Sequence, residues 1–89
     1  MDTLEAQALL REQLQKHRRR TRNELLPLLR APDVTELVGA SGAHYQVEIL
    51  AVWDDAPNGD LRVIGSIDDG GLRAFVPLTE DFLVSRQTP

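Results

Sequence analysis

The chain contains no cysteine, which removes disulfide staples and thiolate metal sites from consideration. Aromatic residues are scarce, with only Tyr45, Trp53, Phe75 and Phe82. No apolar run approaches the ~20 residues of a membrane-crossing helix. No charged stretch followed by an apolar one opens the chain, so no secretory signal is legible. The two histidines, His17 and His44, fall in different segments without a carboxylate at ligand spacing, so no metal is expected. No glycine-rich loop precedes a helix to cradle a phosphate, and no Ser/His/Asp arrangement suggests a nucleophile. An enzyme is therefore not expected, and neither is a cofactor. The 89 residues make one domain (1–89) near the lower size limit of unaided folding. These absences leave a soluble, cytoplasmic protein as the expectation.

What is present is unevenly distributed. The net charge is -4, but residues 1–32 carry +3 and residues 33–89 carry -7. Such a split suggests two surfaces with different partners, or a chain that matches itself across a symmetric interface.

The segment TLEAQALLREQLQ is rich in helix formers, with Leu4, Ala8, Leu10 and Leu14 at roughly helical spacing. KHRRRTRNE (16–24) offers nothing to bury. Pro27 then forbids an undisturbed helix interior. The chain either restarts its helix with Asn23 as N-cap, leaving Pro27 in the first turn, or runs as one helix kinked at Pro27. An unbroken helix over 3–30 would be about 42 Å long, too long for so small a body. In PDVTELVG, Asp33 followed by Glu36 reads as a capping box and Gly39 as a helix end, so a short helical turn is expected over 33–38. Residues 1–38 are thus the helical part, and GASGA (39–43) is the hinge into a sheet over 44–86.

From His44 the period becomes two. Tyr45, Val47, Ile49, Ala51 and Trp53 share one face of a first strand, and Leu61, Val63, Gly65 and Ile67 share one face of a second. A third strand is expected over 72–78, with Leu72, Ala74, Val76 and Leu78 inward, and the tail forms either a fourth edge strand or a turn tucking in Phe82 and Val84. Pro57-Asn58-Gly59 suits a three-residue hairpin loop with Gly59 in the left-handed region. That loop pairs Trp53 with Val63, Ala51 with Gly65 and Ile49 with Ile67, and sets Asp54 opposite Arg62. Asp69-Gly70 or Gly70-Gly71 makes the second, tighter turn, pairing Ile67 with Leu72 or with Ala74. The expected fold class is α+β, with an N-terminal helix or helices packed on an antiparallel three- to four-stranded meander.

This meander answers a question posed by the aspartate pairs Asp54-Asp55 and Asp68-Asp69. They lie at opposite ends of one strand, roughly 20 Å apart, whereas a two-carboxylate site needs its acids within about 10 Å. Asp54, Asp55 and Asp60 share one turn, but DDAPNGD fails the calcium-loop pattern, with Ala56 and Gly65 at ligand positions. Turn and hairpin-closing roles account for them.

The nominally polar sheet face is not polar throughout. Leu50, Val52, Ile64 and Phe75 gather there, rimmed by Arg62, Arg73, Glu48 and Gln46, in the manner of an interface. Its cover is expected to be a second copy, giving a homodimer, unless the Phe82 segment or the 33–38 turn lies over it. A second reading is an acidic, immunity- or antitoxin-like protein that blocks a basic protein through Asp54, Asp55, Asp60, Glu80 and Asp81. A third is polyanion contact through Arg18, Arg19, Arg20 and Arg22. It is the less favoured, because no aromatics interleave the run and the rest of the chain is acidic.

The run GSIDDGGLRAFVPLTEDFLV (65–84) resembles a segment of a family of small uncharacterised bacterial proteins. It covers about a quarter of the chain. The resemblance implies no activity and no site residues; it marks the second hairpin and the PLTEDF turn as a structural signature. The sequence thus points to a non-enzymatic interaction or assembly module.

Overall fold

The computed structural model describes residues 2–71 and 77–88. A helix α1 (Thr3–Arg18) is followed by a one-turn helix α2 (Arg22–Leu25) and a 3₁₀ turn (Leu26–Leu29). Four strands follow: β1 (Asp33–Val38), β2 (His44–Trp53), β3 (Leu61–Asp68) and β4 (Leu78–Val84). They form one antiparallel sheet in the order β1-β2-β3-β4. The helical segments lie on one face of it, giving an α+β fold whose shortest dimension, 19 Å, suits two layers.

Helix α1 begins where the Asp2 side chain accepts the Glu5 N–H at 3.1 Å, an N-cap bond that satisfies one orphan donor of the first turn. Its buried residues are Ala6, Leu10, Leu14 and His17. Leu4 and Ala8, expected inward, point to solvent, and Leu4 is 79% exposed. The helix ends at Arg18, and the chain restarts with Thr21 as N-cap rather than Asn23. Thr21 and Glu24 form a reciprocal capping box, which outbids Asn23 because both orphan donors are satisfied at once. The hydrogen bonds from Thr21 hold the Glu24 carboxyl below its ordinary 4.5. Pro27 falls in the first turn of the 3₁₀ segment, where its missing N–H costs nothing.

The 33–38 segment is not a helical turn. Asp33–Val38 pairs along its whole length with β2, from Asp33 opposite Ile49 to Val38 opposite His44. A single isolated turn offers few hydrogen bonds, whereas pairing with a ten-residue neighbour uses the ladder of a full strand. Asp33 is instead drawn to the end of α1, where its carboxylate meets His17 Nε2 at 3.1 Å and Arg20 at 3.7 Å.

The core face of the sheet agrees with the alternation. Tyr45, Val47, Ile49, Ala51, Leu61, Val63 and Ile67 are all buried. The β2–β3 register is shifted by two from the expected one: Trp53 faces Leu61, Ala51 faces Val63 and Ile49 faces Gly65. A shift of two preserves which side each residue faces, so the core survives the error. Its cause is the loop, in which Asn58 and not Gly59 takes positive φ, at 66°, and Asp54 N–H donates to the Asp60 carbonyl at 2.9 Å. The loop is therefore wider than three residues. Gly65 lies under α1: a Cβ there would meet Leu10 Cδ1 at 2.9 Å and Leu14 Cδ2 at 3.1 Å, so the glycine sets how closely helix and sheet approach.

The strand beside β3 is Leu78–Val84, with Ile67 opposite Leu78 and Leu61 opposite Val84. Ile67 therefore pairs with neither Leu72 nor Ala74, and the tail is a strand of the sheet. Of the strand expected at 72–78, residues 72–76 lie outside the described residues. Phe82 and Val84 point into the core, which uses the tail for the inner face.

Candidate interaction surface

Helices α1, α2 and the 3₁₀ turn all lie against the inner face. The other face is built from residues that the register places in rows across the strands. Val52, Arg62 and Leu83 form one row, and Leu50, Ile64 and Asp81 the next. Val34, Glu48, Ser66 and Thr79 follow, then Glu36, Gln46 and Asp68. Of the candidate interface residues, Leu50 and Ile64 are directly paired, and Val52 adjoins them. Phe75 and Arg73 fall outside the described residues, and the place beside Ile64 is taken by Asp81. Three apolar residues of this face escaped the sequence reading: Leu83, 50% exposed, Val34, 54% exposed, and Val38, 61% exposed. Both expected intrachain covers are spent elsewhere, since 33–38 is a strand of the sheet and Phe82 is in the core. Among the described residues, no segment lies over this face.

Arg62 is the only Lys or Arg among the described residues of the face, and it is clamped. Its Nε donates to Asp54 at 2.7 Å and its Nη1 to Asp81 at 2.6 Å. Bonds to these two carboxylates raise its already high pKa. The expected Asp54–Arg62 contact thus exists, but as a diagonal one, because Arg62 faces Val52. Charge-assisted bonds to two carboxylates fix the guanidinium of Arg62, whose row neighbours are Val52 and Leu83. The remaining carboxylates Glu36, Glu48 and Asp68 have no basic partner among the described residues.

All but one of the aspartates of the two turns have a conformational task, Asp54 in the clamp on Arg62. Asp60 accepts the Arg86 N–H at 3.0 Å. Asp68 and Asp69 accept the Gly70 and Gly71 N–H groups at 2.9 and 3.0 Å, as Asx-turns do. Asp55 is exposed in its loop, and Glu80 pairs with Arg11 at 2.8 Å. The two pairs stand at opposite ends of β3 and share no site. Among the described residues, no group of three or more His, Cys, Asp or Glu side chains is placed to hold a metal ion. No helix among the described residues is long and apolar enough to cross a membrane.

The arginine run is largely engaged within the chain. Arg18 lies 4.6 Å above the Phe82 ring and Arg22 5.5 Å above Trp53. Arg22 also donates to the Asn58 carbonyl at 3.3 Å, and Arg20 reaches Asp33. Arg19 is exposed and makes no ion pair among the described residues. His17 is buried between two acceptors, the Gln13 carbonyl at 2.9 Å and Asp33, and pins the end of α1 to β1.

No protein-family model matches the chain, and neither a curated protein nor a solved structure matches it.

Proposed function

We propose that the chain is a non-enzymatic interaction module whose outer sheet face receives another protein, one that carries positive charge. The observation behind this is the composition of that face. The apolar Leu50–Ile64 row adjoins Glu36, Glu48 and Asp68, and the one guanidinium among the described residues of the face is already neutralised by Asp54 and Asp81. A covering surface would bury an apolar centre without stranding Arg62, since a charge that enters an interface with its partners in place costs far less than a bare one. Glu36, Glu48 and Asp68, without a basic partner among the described residues, favour Lys or Arg from the other side.

Self-pairing as a homodimer is the second reading, favoured by the apolar row alone. Two copies placed face to face would set carboxylates against carboxylates. Shifting them so that only the apolar halves overlap relieves the repulsion but forfeits about half the face. Polyanion contact is weakened as a reading because Arg18, Arg20 and Arg22 have internal partners.

The test is sedimentation equilibrium with salt-dependent retention on immobilised polycation and polyanion. The proposal expects a monomer of 9.9 kDa, retained on the polycation. Val52→Glu should leave the fold intact while weakening any association that uses this face. A chain whose associations are indifferent to Val52→Glu and Ile64→Glu does not work through this surface.

A further inference from the structure

From the layout of the outer face we infer that its occupant is an amphipathic helix with an apolar end and a basic end, laid along β2 and β3. This rests on the reading of that face as the working surface, and it specifies the shape and charge order of the partner. Apolar side chains of the two central strands are confined to one end: Leu50, Val52 and Ile64. At the other end the same strands carry Glu48 and Asp68, with Glu36 beside them on β1 between the exposed Val34 and Val38. An open groove of ≈ 540 Å³ sits at that end, lined in part by Glu36, Gln46, His44, Asp68 and Asp69. It has room for a Lys or Arg side chain among acceptors.

The dimensions favour a helix over a second sheet. A helix is ~10 Å wide, which covers β2 and β3 and leaves Glu36 and Asp81 at a wet rim. A second sheet would press on all four strands and take Glu36, which has no basic partner among the described residues, out of water, a costly step for a charge. The protein already covers its inner face in this way, with α1 seated over Gly65, and a helix on the outer face completes a three-layer α/β/α arrangement. From Leu50 to Gln46 is about 13 Å along the strand, equal to about nine residues of helix. The partner helix therefore carries its apolar anchors and its Lys or Arg residues about two and a half turns apart.

The experiment uses the full chain and a labelled synthetic 18-residue helical peptide with Leu on one face of its first half and Lys on the same face of its second half. Fluorescence anisotropy gives affinity, and amide chemical shifts give the location. The expected result is saturable binding that weakens as salt rises, with shifts confined to the outer-face rows. A peptide with Glu for Lys should not bind, and one with Leu and Lys evenly mixed should bind at least tenfold more weakly. Ile64→Glu and the more exposed Val52→Glu should each weaken binding tenfold or more. The combined Glu36→Gln, Glu48→Gln, Asp68→Asn variant should lose most of the salt dependence. Binding unchanged in that variant, or shifts on the α1 side, would overturn the inference. If the wild type is instead a dimer that Val52→Glu dissolves, the occupant is a second copy: the helix inference falls while the face keeps its role. If the chain stays monomeric and the Lys peptide fails to bind, both fall.

Discussion

Tyr45 donates its hydroxyl to Glu5 Oε1 at 2.9 Å, joining the first turn of α1 to the first residues of β2. Ser41 donates to the same carboxylate through its hydroxyl at 2.7 Å and its N–H at 3.0 Å. Gly39 is buried below them, where a Cβ would collide with Glu5. One carboxylate thus organises the β1–β2 turn and the helix start together.

This junction predicts a dependence on pH at both extremes. Hydrogen bonds from Ser41 and then Tyr45 hold the Glu5 carboxyl below its ordinary 4.5. A depressed folded-state value means that its stabilisation is present above 4.5 and is lost as pH falls through the folded value. Burial, then the bond to Glu5, pushes Tyr45 up from 10.0 to about 12. That contribution is complete below pH 10 and is lost as pH rises toward 12. Urea midpoints followed across pH should show both limbs. Glu5→Gln should flatten the acid limb and Tyr45→Phe the alkaline one; an unchanged alkaline limb in Tyr45→Phe would mean that another group titrates there.

The restart of the helix at Thr21 makes a second prediction. Thr21→Ala removes one half of a capping box and should cost about 1 kcal/mol in denaturant unfolding. Asn23→Ala should be within about 0.5 kcal/mol of wild type, as surface changes are. The reverse order would place the cap at Asn23.

Gly65 supplies a third. Gly65→Ala should destabilise by about 1–3 kcal/mol by overpacking against Leu10 and Leu14. Adding Leu10→Ala should make the two losses less than additive, since the smaller side chain vacates the space the new Cβ needs. Strict additivity would show that the helix retreats as a body.

Phe82 and Leu83 are neighbours on opposite faces of β4, 8% and 50% exposed. Phe82→Ala should cost about 3–5 kcal/mol. Leu83→Ser should change stability by less than about 1 kcal/mol, a contrast readable from thermal melts of the two variants. Equal losses would mean that the outer face is covered within the chain.

The elements legible from sequence were those with one buried and one less buried side. Tyr45 to Trp53 and Leu61 to Ile67 alternate strongly enough to announce strand, face and partner. β1 carries no such signal: Asp33, Val34, Thr35, Glu36 and Val38 are all exposed, so periodicity had nothing to report and the Asp33/Glu36 spacing imitated a cap. β4 was obscured by Glu80, which points to the core side but reaches Arg11 instead of entering the core. The outer face was legible through Leu50, Val52 and Ile64, whereas Leu83 and Val34 depended on strand pairings that only the fold supplies. The Arg62 clamp was half legible, since Asp54 lies close in sequence and Asp81 does not.

The sheet also has a rim. β1 is its terminal strand, so one line of β1 backbone N–H and C=O groups has no neighbour in the sheet, and such a line can template a further strand. Two carboxylates in six residues, Asp33 and Glu36, make self-templating electrostatically unfavourable, because stacked copies would repeat those charges along a growing fibre. With Asp33 already tied to His17 and Arg20, Glu36 carries most of that protection. The same short strand that completes the fold thereby disfavours the addition of a further copy at its own edge.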